Sequence, residues 1–314
     1  MTWRPGPWAT ALPENYFSEM EVLLRDLLIN KWRIPEDELP RTLARHLFGR
    51  MEITQERFIP WMQAAIPSLK TKRVLEIGCG NASITAPMAM ASRYVTAFDL
   101  PSDNHAIAVR RCELLGINNV TIQQHGVEWI DEYVGDAKAL FGEVDVILCH
   151  AVLEHLTIIE RLRFLGAAWR HLSIGGYLIV MEAHNRLYWF DWHSSRMPFF
   201  DQLPDELAHL WITRSRRATV PENIKAYSVD QLEKVDRDGL YRFGRGVSFH
   251  EFYISINASC FEVANPWLID RTAYLGWNET YIKVLEEQLS KVDPPVHRAF
   301  GQPSLDLILK KTCN

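Results

Sequence analysis

The sequence predicts an α/β fold built around a parallel sheet, and three observations support this prediction. From residue 73 onward, short apolar runs alternate with longer segments of helical periodicity, as in successive strand–helix–strand units. The apolar run at 144–149 suits a strand that is buried on both faces. The first predicted strand leads into a turn with two glycines, Gly78 and Gly80, where the missing Cβ lets the backbone lie against a ligand. The predicted fold therefore carries a candidate ligand site at the end of its first strand.

Residues 1–70, which precede this alternation, are predicted to be mainly helical. Their leucines recur at helical spacing, as at Leu23, Leu24, Leu27 and Leu28, and several prolines divide the segment. Two interpretations of this extension remain open. It caps a pocket, or it packs against the outside of the sheet.

In the alternating part, the strands and helices can be placed one after another. Strands are predicted at 73–77, 94–98, 120–124, 144–149, 177–181, 261–263 and 305–309, and helices at 83–91, 103–115, 153–172 and 248–258. The last helix begins with Ser248 and Glu251, the spacing of a capping box. Residues 183–246 form a long insertion rich in Trp, Phe, Pro and Arg. Because its aromatic content argues against disorder, we expect this insertion to be functional.

Composition narrows the class of protein. The chain has 314 residues, of which 47% are hydrophobic, so it can bury a large core. A net charge of −5 argues against a nucleic acid as the principal partner, and the sequence contains no apolar run long enough to span a membrane. Because the start of the chain lacks the apolar core of a signal peptide, we expect a soluble, cytoplasmic protein. The 5 cysteines form no paired motif, which predicts reduced thiols without a disulfide framework or zinc site.

The spacing around the glycine turn distinguishes between kinds of nucleotide site. Glu76 precedes Gly78 and Gly80, but the third glycine of a dinucleotide fingerprint is missing, and so is a phosphate-binding loop with lysine. Asp99 ends the second predicted strand, where a carboxylate can accept both ribose hydroxyls of an adenosine. Together these residues predict an adenosine site without a phosphate site.

These motifs resemble those of the class I S-adenosylmethionine-dependent methyltransferases. The resemblance rests on the run 74–80, on Asp99, on the run 146–156 and on the run 175–180, in this order along the chain. It implies a Rossmann-like seven-stranded sheet of order 3-2-1-4-5-7-6 with an antiparallel last strand. It also implies S-adenosylmethionine as cofactor and a methyltransferase domain over 71–314, with 1–70 as helical extension or lid and 183–246 as substrate lid.

The resemblance further implies which residues bind the cofactor. They are Glu76, Gly78, Cys79, Gly80, Asp99, Leu100, Gly126, Val127 and His150. In one respect the sequence departs from the family pattern, because many relatives carry an aspartate after strand three and this chain has Gly126. Adenine is therefore expected to rest on backbone and on apolar groups near Leu100 and Val127.

Candidate catalytic residues follow strands four and five, where open α/β sheets place their ligands. Methyl transfer to an alcohol needs a general base. His150 ends strand four, while Asp191 and His193 alternate with Trp192 and would share one face of an extended chain. We therefore expect His193 as the base, Asp191 as the group that orients it, and His150 as the next candidate.

Other interpretations of these polar residues stay open. The Asp–His pair could instead bind a divalent metal ion or form a structural hydrogen-bond network; we predict no metal ligands. His155 is expected to be a packed or capping residue. Arg214, Arg216 and Arg217 form either a solvated surface or a contact for a phosphate or carboxylate of the acceptor. The predicted acceptor contacts are His184, Asn185, Tyr188, Trp192 and His250.

The resulting hypothesis is methyl transfer from S-adenosylmethionine to a small-molecule acceptor, with O-methylation of a sugar or secondary metabolite as the first expectation. The alternatives are N- or C-methylation of a small molecule, a protein or RNA acceptor, and a non-catalytic protein that binds S-adenosylmethionine. No nucleic acid or membrane is expected as a partner, and a homodimer is left open.

Overall fold

The computed structural model of the chain describes residues 5–100, 102–124, 144–269 and 278–313. The helices are α1 (Pro7–Thr10), α2 (Glu14–Asp26), α3 (Leu39–Ala44), α4 (Arg50–Ile53), α5 (Ile59–Ala65), α6 (Thr85–Ala91), α7 (Asn104–Leu114), α8 (Ile158–His171), α9 (Asp205–Trp211), α10 (Arg237–Phe243), α11 (Phe249–Ser255) and α12 (Glu279–Ser290). The strands are β1 (Arg73–Ile77), β2 (Tyr94–Asp99), β3 (Val120–Gln124), β4 (Val146–His150), β5 (Tyr177–His184), β6 (Phe261–Val263) and β7 (Ser304–Lys311).

The strands form one seven-stranded sheet in the order β3-β2-β1-β4-β5-β7-β6. β1 pairs with β2 and β2 with β3 in parallel, whereas β7 runs antiparallel to both β5 and β6. This confirms the predicted fold class. β4 is buried along its whole length, which is why its sequence is apolar rather than alternating.

The chain divides into two compact units, Met1–Leu148 and Cys149–Asn314. In the first unit, the N-terminal helices pack against α6 and α7. Tyr16, Met20 and Leu24 on α2 share a buried cluster with Ala86 and Ile107. The leucine spacing noted in the sequence is thus the apolar stripe of an amphipathic helix.

A buried arginine fastens this helical extension. Arg111 on α7 is fully buried, and its guanidinium donates to the Tyr16 hydroxyl at 2.7 Å and to the His46 carbonyl at 2.8 Å. It also donates to the Leu47 carbonyl. Burial lowers the pKa of Arg111, because the guanidinium has lost its hydration and is surrounded by uncharged acceptors.

In the second unit, β5 is longer than predicted and carries a bulge. The pairing of β5 with β7 shifts register between Val180 and Ala183, and Glu182 within the shift has a φ of 56°. Its backbone N–H donates to the Asp306 carboxylate at 3.0 Å, which holds this conformation. The strand then continues to His184, so this histidine lies at a strand end rather than in a loop.

The insertion after β5 has a small core of its own. Met197, Phe200, Ile212, Ile224 and Leu240 are among its buried side chains. The insertion is therefore a packed segment, as its aromatic content predicts. The predicted capping box at Ser248 and Glu251 is also present at the start of α11.

Several predicted boundaries were wrong. The helix predicted at 153–172 begins at Ile158, because Thr157 and Glu160 form a capping box there. Leu153–His155 form a separate 3-10 turn. The strand predicted at 144–149 runs from Val146 to His150.

The prediction of reduced, unpaired cysteines was wrong for two of the five. Cys260 and Cys313 form a disulfide with a Cα–Cα distance of 4.7 Å, although 53 positions separate them in the sequence. Cys260 precedes β6 and Cys313 follows β7, and the antiparallel pairing of these strands brings the two together. Cys79, Cys112 and Cys149 are buried and lie outside this disulfide, in agreement with the prediction of reduced thiols. Every helix in the described ranges is too short or too polar to cross a bilayer.

We expect Arg111→Met to lower the free energy of unfolding by roughly 2–4 kcal/mol, because the His46 and Leu47 carbonyls lose a charged donor inside the fold. Urea denaturation at pH 7 measures the loss. The matched control is Arg110→Met, which removes a surface arginine paired with Glu19 and should leave stability nearly unchanged. Equal losses for the two variants would contradict the role given to Arg111.

Candidate active site

The glycine turn after β1 is held against the end of β2. The backbone N–H groups of Gly78 and Cys79 both donate to the Phe98 carbonyl, at 2.7 and 3.0 Å. The N–H of Gly80 donates to the Asp99 carboxylate, and so does the N–H of Leu100 at 2.7 Å. Gly78 and Gly80 have φ values of 75° and 52°, which side chains rarely adopt. The turn therefore brings bare backbone and one carboxylate together, as a site for adenosine requires.

Glu76 lies beneath this turn and is buried with one carboxylate oxygen, Oε2, lacking a hydrogen-bond partner within the described residues. Burial raises its pKa from 4.5 to about 7, and the nearby Asp99 carboxylate adds to the rise. A buried acceptor without a donor is costly, so it fits a ligand that carries a donor or a positive charge. The amino group of S-adenosylmethionine is such a donor.

The remaining predicted cofactor residues of this unit are placed as follows. Cys79 is buried, and burial raises the pKa of its thiol, which makes it a filler rather than a nucleophile. Leu100 is 45% exposed, which leaves its side chain free to meet a ligand. Gly126 and Val127 lie outside the described residues.

His150 lies at the end of β4, in the second unit. Its Nε2 is 3.2 Å from the Glu182 carboxylate, and the ring is buried. The bulge in β5 places Glu182 there, a contact that spacing along the chain does not reveal. Glu182 is a polar neighbour of His150 that was not among the predicted catalytic, cofactor-binding or acceptor-binding residues.

His184, Asp191 and Asp201 form a buried polar group after β5. His184 Nε2 lies 2.8 Å from Asp201 and 3.7 Å from Asp191. Burial alone would lower the pKa of His184, but the two carboxylates raise it. Burial likewise works to raise the pKa of Asp201, yet His184 and Arg245 hold it below its usual value. The close pairing therefore favours the protonated form of His184 and the ionised form of Asp201.

The predicted pairing of Asp191 with the His193 ring was wrong. The Asp191 carboxylate instead accepts the backbone N–H groups of His193, Ser194 and Ser195, at the turn that follows it. An aspartate two to four positions before free N–H groups favours such a turn over an extended chain, so the two side chains do not share a face. Burial and the Asp201 charge raise the pKa of Asp191.

The His193 ring is oriented by a different residue, Ser194. The Ser194 hydroxyl donates to the Gly244 carbonyl at 2.7 Å, so it accepts from His193 Nδ1 at 3.0 Å. This assigns the proton to Nδ1 and leaves Nε2 with a free lone pair. Burial and the nearby His155 lower the pKa of His193 to about 3, so the ring is neutral at physiological pH. A neutral imidazole with a free Nε2 can accept a proton.

Gly244 allows this arrangement. A Cβ at this position would overlap the His193 ring and the Ser194 hydroxyl, and the residue has a φ of 131°. Only glycine combines that conformation with that approach. Gly244 and Ser194 are site residues that the sequence interpretation missed, although a glycine pair around Arg245 is visible in the printed sequence.

Glu154, beside His193, is a further residue that the sequence interpretation did not assign to the site. It is fully buried, and both carboxylate oxygens lack hydrogen-bond partners within the described residues. One oxygen lies 3.9 Å from His193 Nε2. Burial raises the pKa of Glu154. Its motif, Leu-Glu-His after β4, was noticed in the sequence, but its contact with His193 depends on the fold of the insertion.

Two groups within the described residues bring three potential metal ligands together. Glu154, His155 and His193 form one group and His184, Asp191 and Asp201 the other, each with ligand atoms within 4.8 Å of one another. In the second group the carboxylates are already occupied by backbone donors and by His184.

His155 packs as expected, since its Nδ1 lies 2.9 Å from the Arg242 carbonyl.

The predicted acceptor contacts do not all present free polar atoms. Asn185 is buried, and its amide donates to the Phe300 and Gln302 carbonyls, both at 2.7 Å. The Tyr188 hydroxyl is buried and accepts the Asn278 N–H at 3.0 Å. Trp192 is half-buried, and its ring centroid lies 4.4 Å from that of Phe190. His250 is exposed on α11 and stacks on Phe249, with 3.9 Å between the ring centroids.

Comparison with known proteins relates part of the chain to methyltransferases. Residues 74–176 match a family described as "Methyltransferase domain". This match covers most of the motifs on which the sequence resemblance rests, and it confirms that resemblance.

Individual relatives are distant. A ubiquinone biosynthesis O-methyltransferase of Bordetella parapertussis is 28% identical over 147 residues, which are 47% of this chain and 54% of that protein. A trans-aconitate 2-methyltransferase of Deinococcus radiodurans is 29% identical over 40% of this chain and 43% of that protein. The solved structure of PKMT2 from Rickettsia typhi in complex with AdoHcy has 16% identity and a TM-score of 0.48, covering 81% of this chain and 53% of that one. The chain thus spans about half the length of the curated relatives it matches.

We expect Glu76→Gln to change how stability depends on pH. Because the pKa of Glu76 is about 7 in the folded chain and 4.5 when unfolded, ionisation destabilises the fold as pH rises from 5 to 8, by up to about 3 kcal/mol. The variant lacks this loss, so the difference between the two unfolding free energies should change over that window. Glu21→Gln, at an exposed position, is the control. Parallel pH profiles for wild type and Glu76→Gln would contradict the raised pKa.

We expect the His193 ring to remain neutral from pH 5 to pH 8, because its pKa is about 3. The Cε1–H chemical shift, assigned by comparison with His193→Gln, should therefore stay constant in that range. His184 provides the contrast, since its neighbouring carboxylates raise its pKa above 6.5. A midpoint near 6.5 for His193 would show that the ring is not desolvated.

Proposed function

We propose that this chain, which belongs through residues 74–176 to the class I S-adenosylmethionine-dependent methyltransferases, transfers a methyl group from S-adenosylmethionine to an oxygen of a small-molecule acceptor. The observation that carries this proposal is the glycine turn, where Gly80 and Leu100 donate to the Asp99 carboxylate. A sugar or secondary metabolite is the acceptor class we propose. The domain is proposed to span 71–314, with acceptor contacts from the insertion 183–246.

The residues of the turn fit the methyl donor. Asp99 offers carboxylate lone pairs to the two ribose hydroxyls, and the bare backbone of Gly78 and Gly80 allows close approach. The unpartnered Glu76 oxygen suits the amino group. When bound, S-adenosylmethionine supplies a methyl group already activated by the sulfonium charge, so the protein needs mainly to bind, orient and exclude water.

His193 is the residue we propose as general base. Its Nδ1 proton is held by Ser194, and its Nε2 is free to accept the proton of an acceptor hydroxyl. The pKa of about 3 makes the ring a weak base, so the hydroxyl proton has to pass to Nε2 as the methyl group is transferred rather than before it. Glu154, 3.9 Å from Nε2, would stabilise the imidazolium that forms. His150, beside Glu182, is the alternative base.

The test is release of S-adenosylhomocysteine when the protein is given S-adenosylmethionine and fractionated small-molecule extracts. We expect Asp99→Asn to weaken S-adenosylmethionine binding about 10- to 100-fold, the effect of a lost charge-assisted hydrogen bond. We expect His193→Gln to keep cofactor affinity and to lower turnover by roughly 10²–10⁴-fold. The control for cofactor binding is Asp37→Asn, at an exposed position.

Each outcome of this test separates the candidates. Unchanged binding by Asp99→Asn contradicts the ribose assignment, and normal turnover by His193→Gln removes it as base. Tight binding without turnover on any fraction favours a non-catalytic binding protein. Methyl label in protein or RNA, rather than in small molecules, contradicts the acceptor class.

A further inference from the structure

A cavity of about 330 Å³ in the insertion is lined almost entirely by arginine. Its lining residues are Arg196, Met197, Arg214, Arg216 and Arg217. Four arginines therefore bring positive charges close together at one cavity, where they repel one another. The whole chain, in contrast, carries a net charge of −5. We propose that this cavity binds a phosphate or diphosphate group, and that this group belongs to the methyl acceptor.

Three of the four arginines that line the cavity lack an acidic partner among the described residues. Within the residues that the structure describes, Arg196, Arg214 and Arg216 have no carboxylate within ion-pair distance. By contrast, Arg161 and Arg245 in the same unit are paired, with Glu251 and Asp205 respectively. The cavity therefore concentrates positive charge. A multiply charged anion would supply the missing balance.

Two of the arginines are held in place before any ligand arrives. Arg217 donates to the carbonyls of His193 and Ser194 and to the Thr219 hydroxyl at 2.8 Å, and its guanidinium lies 5.0 Å from the Phe243 ring centre. Arg214 lies over the Trp211 ring at 4.2 Å. Stacking restricts these side chains, so less entropy is lost when they bind an anion.

The backbone beneath the cavity is also constrained. Arg196 has a φ of 56°, a conformation that costs free energy for any residue with a side chain. The Ser215 hydroxyl donates to the Ser195 carbonyl at 2.7 Å. This hydrogen bond connects the segment around Arg196 to the segment that carries Arg216. The unfavourable backbone conformation of Arg196 is thus part of the arrangement that brings two arginine-bearing segments to one cavity.

The chemistry of the lining selects the kind of anion. One guanidinium fork is sufficient for a carboxylate, whereas four guanidiniums match an anion with several oxygens and two or three charges. A nucleic-acid backbone calls for a basic stripe or face, but here the charges are confined to one cavity. A phosphate or diphosphate ester of a small molecule is the ligand that fits.

The position of the cavity connects it to the proposed acceptor site. Arg217 lines the cavity and also donates to the carbonyl of His193, the proposed base. An acceptor anchored here by a phosphate group would therefore lie next to that residue. This connection rests on the proposed function, whereas anion binding in the cavity does not.

The test measures binding of inorganic pyrophosphate, phosphate, acetate, uridine diphosphate and a short single-stranded RNA to the full chain by isothermal titration. We expect saturable 1:1 binding of pyrophosphate, weaker binding of phosphate and none of acetate. Arg216→Gln and Arg214→Gln should each weaken pyrophosphate binding about 10- to 100-fold, the loss of one charge-assisted contact. Arg237→Gln, an exposed arginine outside the cavity, is the matched control and should bind as wild type does. Thermal melting of each variant establishes that it is folded.

Failure of the anion site and failure of the proposed function give different results in this test. Absent pyrophosphate binding, or binding that the two cavity variants do not weaken, overturns the anion site whatever the protein does with S-adenosylmethionine. Tighter binding of a short single-stranded RNA than of pyrophosphate or uridine diphosphate, lost in the same variants, overturns the small-molecule assignment. Pyrophosphate binding by a protein that fails to bind S-adenosylmethionine supports the cavity and contradicts the proposed function.

Discussion

The arrangement of the second unit depends on one buried guanidinium, that of Arg161 on α8. It donates to the carbonyls of Leu156, Arg245 and Gly246 and to the Glu251 carboxylate, with N···O distances of 2.7–3.0 Å. A charge removed from water must have such partners, since an unpaired buried charge would destabilise the fold strongly. Arg161 therefore holds the start of α8, the segment around Gly246 and the capping box of α11 in one geometry.

That geometry determines the polar groups of the candidate site. The Gly246 N–H donates to Asp201, which pairs with His184, while the Gly244 carbonyl accepts from Ser194, which orients His193. Both histidines are thus positioned through a backbone segment that carries no catalytic group of its own. The pKa of His184 is raised because two carboxylates lie beside its ring. The pKa of His193 is lowered because its ring is desolvated and has other cationic groups nearby. The surroundings of His184 thus favour its protonated form, whereas those of His193 keep its ring neutral.

Sequence reasoning predicted the fold well because its signals are local. Strand and helix periodicity, the glycine turn and Asp99 each depend on a few neighbouring residues, and the observed strand order agrees with the resemblance. Reasoning was weaker for the insertion, where it treated residues 191–193 as an extended chain. There Asp191 forms a turn by accepting backbone N–H groups, so alternation along the sequence did not translate into a shared face.

The sequence by itself determined the class of fold, the position of the glycine turn after β1 and the presence of a packed aromatic insertion. Only the tertiary structure decided which polar side chains meet: Glu182 with His150, Glu154 and Ser194 with His193, and Cys260 with Cys313. The physical reason lies in the range of the interactions. Periodicity and turn chemistry act between near neighbours in the chain, whereas burial, ion pairing and the pKa values that follow depend on residues that long-range packing brings together.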